Sequence, residues 1–125
     1  MLQDAYTFNG FTTNDIAASR KFYADTLGLQ VTENKMRILQ IKAAGGNQFI
    51  IYPKEDHEPA KFTVLNFEVK DIKEVVNHLI EKGITFEQYD EPIRTDKKGI
   101  CWDNEGPNIA WFKDNAGNIL SVIEE

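Results

Sequence analysis

Apolar positions in this chain switch between alternating and helical spacing, and each switch marks an element. Residues 5–12 (Ala-Tyr-Thr-Phe-Asn-Gly-Phe-Thr) have strand character, and Thr13-Asn14-Asp15 behind them are helix N-cap types whose side-chain oxygens can take the free N–H groups of a first turn. The helix continues through Ile16, Ala17, Ser19, Phe22, Tyr23 and Leu27, and Gly28 ends it. Short strands follow at 30–34 and 36–42, then a small-residue turn at Gly45-Gly46-Asn47 and a strand at 48–52. The stretch Pro53-Lys54-Glu55-Asp56-His57-Glu58-Pro59 is polar and proline-bounded, as a connector would be.

The same order then recurs. Residues 62–69 alternate as a strand. Asp71 caps a helix with Glu74 three positions on, and Ile72, Val75, Val76, Leu79 and Ile80 form one helical stripe that Gly83 stops. A strand is predicted at 84–89, a polar loop or irregular edge at 90–98, and a short apolar patch at Gly99-Ile100-Cys101-Trp102. Strands at 108–113 and 119–124 flank the turn Asp114-Asn115-Ala116-Gly117-Asn118. Asp15 and Asp71 stand 56 residues apart, as do Ile16 and Ile72. Neither half can bury its sheet alone. The expectation is one α+β domain of two tandem β-α-β-β-β modules, about 5–53 and 62–125, joined by a connector at 54–61.

Composition narrows the function. With 125 residues, 42% apolar and 27% charged, the chain suits one globular domain. Its net charge is −6 and its Lys and Arg are scattered, so no basic stripe exists for nucleic acid or an anionic membrane. No apolar run is long enough to span a bilayer, and the start Met1-Leu2-Gln3-Asp4-Ala5 lacks signal-peptide character. One cysteine, Cys101, excludes an internal disulfide and suits a cytoplasmic location.

The segments Asp15-Ile16-Ala17-Ala18-Ser19-Arg20-Lys21-Phe22-Tyr23 with Leu27-Gly28, Glu68-Val69-Lys70-Asp71-Ile72, and Phe112-Lys113-Asp114-Asn115-Ala116-Gly117-Asn118 resemble the vicinal oxygen chelate superfamily, the glyoxalase/bleomycin-resistance/extradiol-dioxygenase group. The turn departs from that family's common Asp-Pro-Asp-Gly-Asn by carrying Asn115-Ala116. The resemblance implies tandem modules whose curved mixed sheets enclose a cleft, commonly in a homodimer. It leaves function open, because members include lyases, dioxygenases, thiol transferases and drug-sequestering proteins.

Family enzymes usually hold a divalent metal through His, Glu or Gln on four strands. Counted from Asp15, the turns and the 56-residue offset, the corresponding slots here are Phe8, Ile50, Val64 and Ser121. Three lack a donor atom and a serine hydroxyl is a weak ligand, so neither a metal nor another cofactor is expected. His57, in the connector, and His78, off the apolar stripe, are expected to be solvated. Period-two alternation sends Tyr6, Phe8, Gly10 and Thr12, Gln48, Ile50 and Tyr52, Phe62, Val64, Asn66 and Glu68, and Ile119, Ser121 and Ile123 to the face away from the helices. They line either a mainly apolar small-molecule site or a closed barrel core.

Trp102 and Trp111 offer flat rings for a planar or cationic ligand, or are core or interface residues. Trp102 also adjoins the loop 90–98, a possible lid. Cys101 is a nucleophile, a ligand contact or, with no histidine near it in sequence, a buried structural thiol. Asp103 and Glu105 with Glu68 form an acidic rim or a solvated loop. The leading expectation is a metal-free binding protein that holds an aromatic or cationic compound through Phe8, Gln48, Ile50, Tyr52, Val64, Asn66, Glu68, Cys101, Trp102, Trp111 and Ser121. The alternatives are a lyase, isomerase or dioxygenase of the same superfamily, and an interaction module without a ligand.

Overall fold

The computed structural model describes residues 1–102 and 105–125, in two units, Met1–Glu58 and Pro59–Glu125. In the first unit Asp15 Oδ1 accepts the Ala18 N–H at 3.0 Å, so α1 (Ile16–Lys21) starts at the predicted cap. Beyond it the chain widens into a single π-helical turn, Phe22–Thr26, and Gly28 leaves at φ 72°, a left-handed conformation that a side chain resists. Four strands form the sheet in the order β1 (Asn9–Thr13), β4 (Gln48–Pro53), β3 (Leu39–Lys42), β2 (Gln30–Glu33), with β1 parallel to β4 and the rest antiparallel.

Alternation divides that sheet cleanly. Phe11, Leu39, Ile41, Phe49 and Ile51 are buried on one face, where the fully buried Tyr23 ring lies 6.3 Å from Phe11 and 6.2 Å from Phe49. Each such side chain contributes on the order of 2 kcal/mol through burial. Gly10, Thr12, Gln40, Gln48, Ile50 and Tyr52 lie on the opposite face.

The second unit repeats the topology. Asp71 Oδ1 accepts the Glu74 N–H at 3.1 Å and caps α2 (Ile72–Glu81), whose buried Ile72, Val76 and Leu79 are the core of the predicted stripe. The sheet order is β5 (Thr63–Val69), β8 (Ile119–Glu124), β7 (Ile109–Lys113), β6 (Ile100–Cys101), again with only the first pair parallel. Ala110, Phe112, Leu120 and Val122 are buried, and Phe86 meets Phe112 edge-on at 5.3 Å.

Five expectations need correction. The strand expected at 36–42 begins at Leu39, because the chain before it turns, with the Arg37 N–H bonded to the Asn34 carbonyl at 3.0 Å. The first strand begins at Asn9 rather than residue 5, because the chain before it makes a short helical turn at Leu2–Asp4 and Tyr6 is fully exposed. Residues 84–89 are no strand: their backbone bond to β7 is Glu87 N–H to the Trp111 carbonyl at 2.8 Å, and the two-residue β6 occupies the rest of that edge. The register of β5 on β8 shifts between Thr63 and Leu65, so strict alternation fails at Phe62 and Val64; Thr63 pairs with Ile119. His57 is half-buried rather than solvated, with Nδ1 hydrogen-bonded to Thr12 Oγ1. Among the described residues no helix is long and apolar enough to cross a membrane.

Candidate functional site

One segment of the second unit departs from sheet geometry, and it builds the wall of a cavity. After Glu87 the chain leaves the edge of β7 and returns to it at Ile100. Its base is tied shut. The Tyr89 N–H donates to Thr95 Oγ1 at 2.8 Å and the Thr95 N–H donates to the Tyr89 carbonyl at 3.1 Å. Asp96 gathers the return limb: Oδ1 accepts the Lys98 and Ile100 N–H groups, each at 2.9 Å, and Oδ2 accepts Trp102 Nε1–H at 2.9 Å. Partial burial pushes the Asp96 carboxyl up, but the bonds from Trp102, Ile100, Lys98 and Gly99 together outweigh it and hold the group below its ordinary value.

Between the tied limbs, residues 90–94 form no hydrogen bond or ion pair among the described residues. This tip, the start of β5 and the open face of the sheet border a solvent-open hollow of about 490 Å³. Phe62, Tyr89, Ile93, Trp111 and Ile119 supply its apolar walls, and Lys61, Asp90 and Glu91 its charges. The Tyr89 and Trp111 rings meet at 5.6 Å and 77°, making an aromatic corner. The volume lies within the range of small-molecule pockets.

Trp111 is the residue of the expected site that lines this cavity. It is central because β7 alternation sends Phe112 into the helix-side core and Trp111 to the other face, opposite Ser121. Ser121 itself is fully buried and donates to Asn66 Oδ1, its cross-strand partner on β5. Glu68 is exposed and pairs with Ile123. Val64 sits at the register shift. Cys101 is buried on β6. It lines an adjoining hollow of about 510 Å³, together with the half-exposed Trp102, with Arg94, and with Glu91 and Pro92, which border the first cavity too.

Gln48, Ile50 and Tyr52 lie on the open face of the first sheet, and Phe8, 66% exposed, immediately precedes β1. Asp103 lies outside the described residues, and Glu105 is exposed. The cavity residues that sequence reasoning passed over include Tyr89, assigned to a strand, Lys61, assigned to the connector, and Asp90, Glu91, Pro92 and Ile93, assigned to a polar loop or irregular edge. The apolar bulk of Tyr89 and Ile93 beside Asp90, Glu91 and Pro92 was the available signal.

A divalent metal does not suit the slots that the family resemblance indicates. Phe8 and Ile50 in the first unit and Val64 in the second carry no donor atom, and the Ser121 hydroxyl is buried in its bond to Asn66. Among the described residues no three His, Cys, Asp or Glu side chains converge as a metal site would require.

The sequence profile of the Glyoxalase/Bleomycin resistance protein/Dioxygenase superfamily matches residues 6–122. No protein of curated function matches the chain in sequence. Among solved structures, a member of the same superfamily from Sphaerobacter thermophilus superposes with a TM-score of 0.75 at 22% identity, covering 98% of this chain and 99% of its own. A lactoylglutathione lyase from Agrobacterium tumefaciens gives 0.69 at 17%, with 96% and 93% covered. The antibiotic-binding protein TnmS3 from a Streptomyces species gives 0.67 at 17%, with 97% of each chain covered. At these identities the likeness is one of fold.

Proposed function

This chain belongs to the Glyoxalase/Bleomycin resistance protein/Dioxygenase superfamily, and within it we propose a metal-free small-molecule binding protein that holds an aromatic or cationic compound in an apolar cleft. The observation that carries the reading is the cavity of the second unit, where Phe62, Tyr89 and Trp111 line a solvent-open volume of about 490 Å³. Flat rings at a partly desolvated wall bind planar partners through apolar contact and cations through the ring quadrupole. The donor-poor slots support the metal-free part, since Phe8, Ile50 and Val64 have no donor atom with which to hold a metal ion. That one structural neighbour is named an antibiotic-binding protein is compatible with the reading, and that another is named a lyase marks its rival.

Intrinsic tryptophan fluorescence tests it directly. Titration with a panel of planar aromatic compounds should give saturable quenching, and Trp111→Ala should weaken that binding by about tenfold or more. An unchanged spectrum across the panel would remove the binding function. Elemental analysis of untagged protein should find no stoichiometric metal; stoichiometric Fe, Mn, Ni or Zn would favour the lyase, isomerase or dioxygenase reading instead.

A further inference from the structure

We infer that the cavity of the second unit selects planar ring systems bearing a single positive charge, with the Asp90 and Glu91 carboxylates as counter-charges; this rests on the reading of the cavity as a small-molecule site. Two independent features of the wall favour a cation. Its charged lining residues are Lys61, Asp90 and Glu91, a formal balance of −1. Neither carboxylate has a hydrogen-bonding or ion-pairing partner among the described residues, so both are uncommitted. Of the other cations, Lys113 is already engaged by Glu87 at 3.2 Å, and Arg94 lines the adjoining hollow, which Glu91 borders as well, whereas Asp90 lines this cavity alone.

The second feature is the corner formed by Tyr89 and Trp111. The two rings, in edge-on contact at 77°, both line this one volume, and an uncovered ring face carries negative quadrupole density. A flat ligand stacked on the uncovered face of one ring lies beside the other, and the carboxylates stand on the tip that borders the same space. A neutral ring of equal shape gains the stacking and loses the charge attraction. An anion meets the net negative lining, and a dication exceeds it. The tied base holds Tyr89 in place through its two backbone bonds with Thr95, while residues 90–94 are left without bonds that a ligand would have to break.

A set of probes sharing one ring system separates charge from shape: 9-aminoacridine as cation, acridine as neutral ring at mildly alkaline pH, and acridine-9-carboxylate as anion, each followed by its own fluorescence anisotropy. The cation should bind about tenfold more tightly than the neutral ring, the anion more weakly than either, and the preference should shrink as salt is raised. The double variant Asp90→Asn/Glu91→Gln should bring cation and neutral ring to equal affinity, because it removes both counter-charges while keeping side chains of the same shape. Equal affinity of cation and neutral ring for the unaltered protein would overturn the charge selection and leave the cleft reading standing. A full cation preference in the double variant would overturn the assignment of the counter-charges. Failure of all three probes to bind would overturn the cleft reading itself, and the inference with it.

Discussion

Gly99 shows how far one hydrogen atom can matter to this site. A methyl group there would lie 2.5 Å from Phe86 Cβ and 2.9 Å from the Glu87 carbonyl oxygen, on a backbone held at φ 92°. Gly99→Ala should therefore cost roughly 2–5 kcal/mol, combining left-handed strain with overpacking, as read from urea denaturation midpoints. Gly83, at φ 98° with open space around it, should cost only the conformational part, about 1 kcal/mol. Asp96 acts on the same limb by charge. Its carboxyl is held below the ordinary value, so the stability it contributes is complete above the normal carboxylate range and is lost as pH falls through the lowered value. In a Trp111→Phe background, acid titration of Trp102 fluorescence should show that transition. Asp96→Asn should abolish it.

The elements owe their positions to small polar anchors. The turn between β7 and β8 is organised by Asp114, which is 7% exposed: its Oδ1 accepts the Ala116 N–H at 2.8 Å and the Asn118 N–H at 2.9 Å, and its Oδ2 accepts Asn118 Nδ2 at 2.9 Å. Asp114→Ala strands these buried donors and should cost about 2–3 kcal/mol in chemical denaturation. That loss would reach the cavity, because the register of β7 on β8 places Trp111 opposite Ser121. The excursion at 88–99 is the element that distinguishes the second unit from the first. Where the first sheet has the regular edge strand β2, the second has one ladder bond at Glu87, a tied loop and a two-residue strand. The cavity exists because the edge was opened there.

In the whole molecule, two units of identical sheet order carry unlike surfaces. The first presents Phe8 and Tyr52, 66% and 41% exposed, on or beside the open face of its sheet. The second presents the cavity with its acidic tip. We propose a homodimer in solution, on the family resemblance, and multi-angle light scattering over a concentration series should report twice the chain mass. A monomer at every concentration would refute it. If the exposed aromatics of the first unit serve that assembly, Phe8→Asp should shift the equilibrium toward monomer while leaving the Trp111 signal of the second unit unchanged.

Residue spacing alone determined the β-α-β-β-β repeat, the caps at Asp15 and Asp71 and the turn at Asp114–Asn118, because each depends on neighbours a few positions away. Counted out on the family resemblance, it points to Phe8, Ile50, Val64 and Ser121 as the metal slots, three of them without a donor atom. What it did not reach was the excursion, the bulge in β5 and the hydrogen bond that buries Ser121 against Asn66. A run such as 84–89 has strand composition, but whether it joins a sheet depends on what else competes for the same edge, and here β6 does. The bulge between Thr63 and Leu65 is likewise set by pairing with β8, some 55 residues away in sequence, and it defeats any counting of faces along β5 alone. Tyr89 and Trp111 meet only after both strand edges are placed. Local periodicity therefore decided the scaffold, and long-range pairing decided which side chains share a cavity.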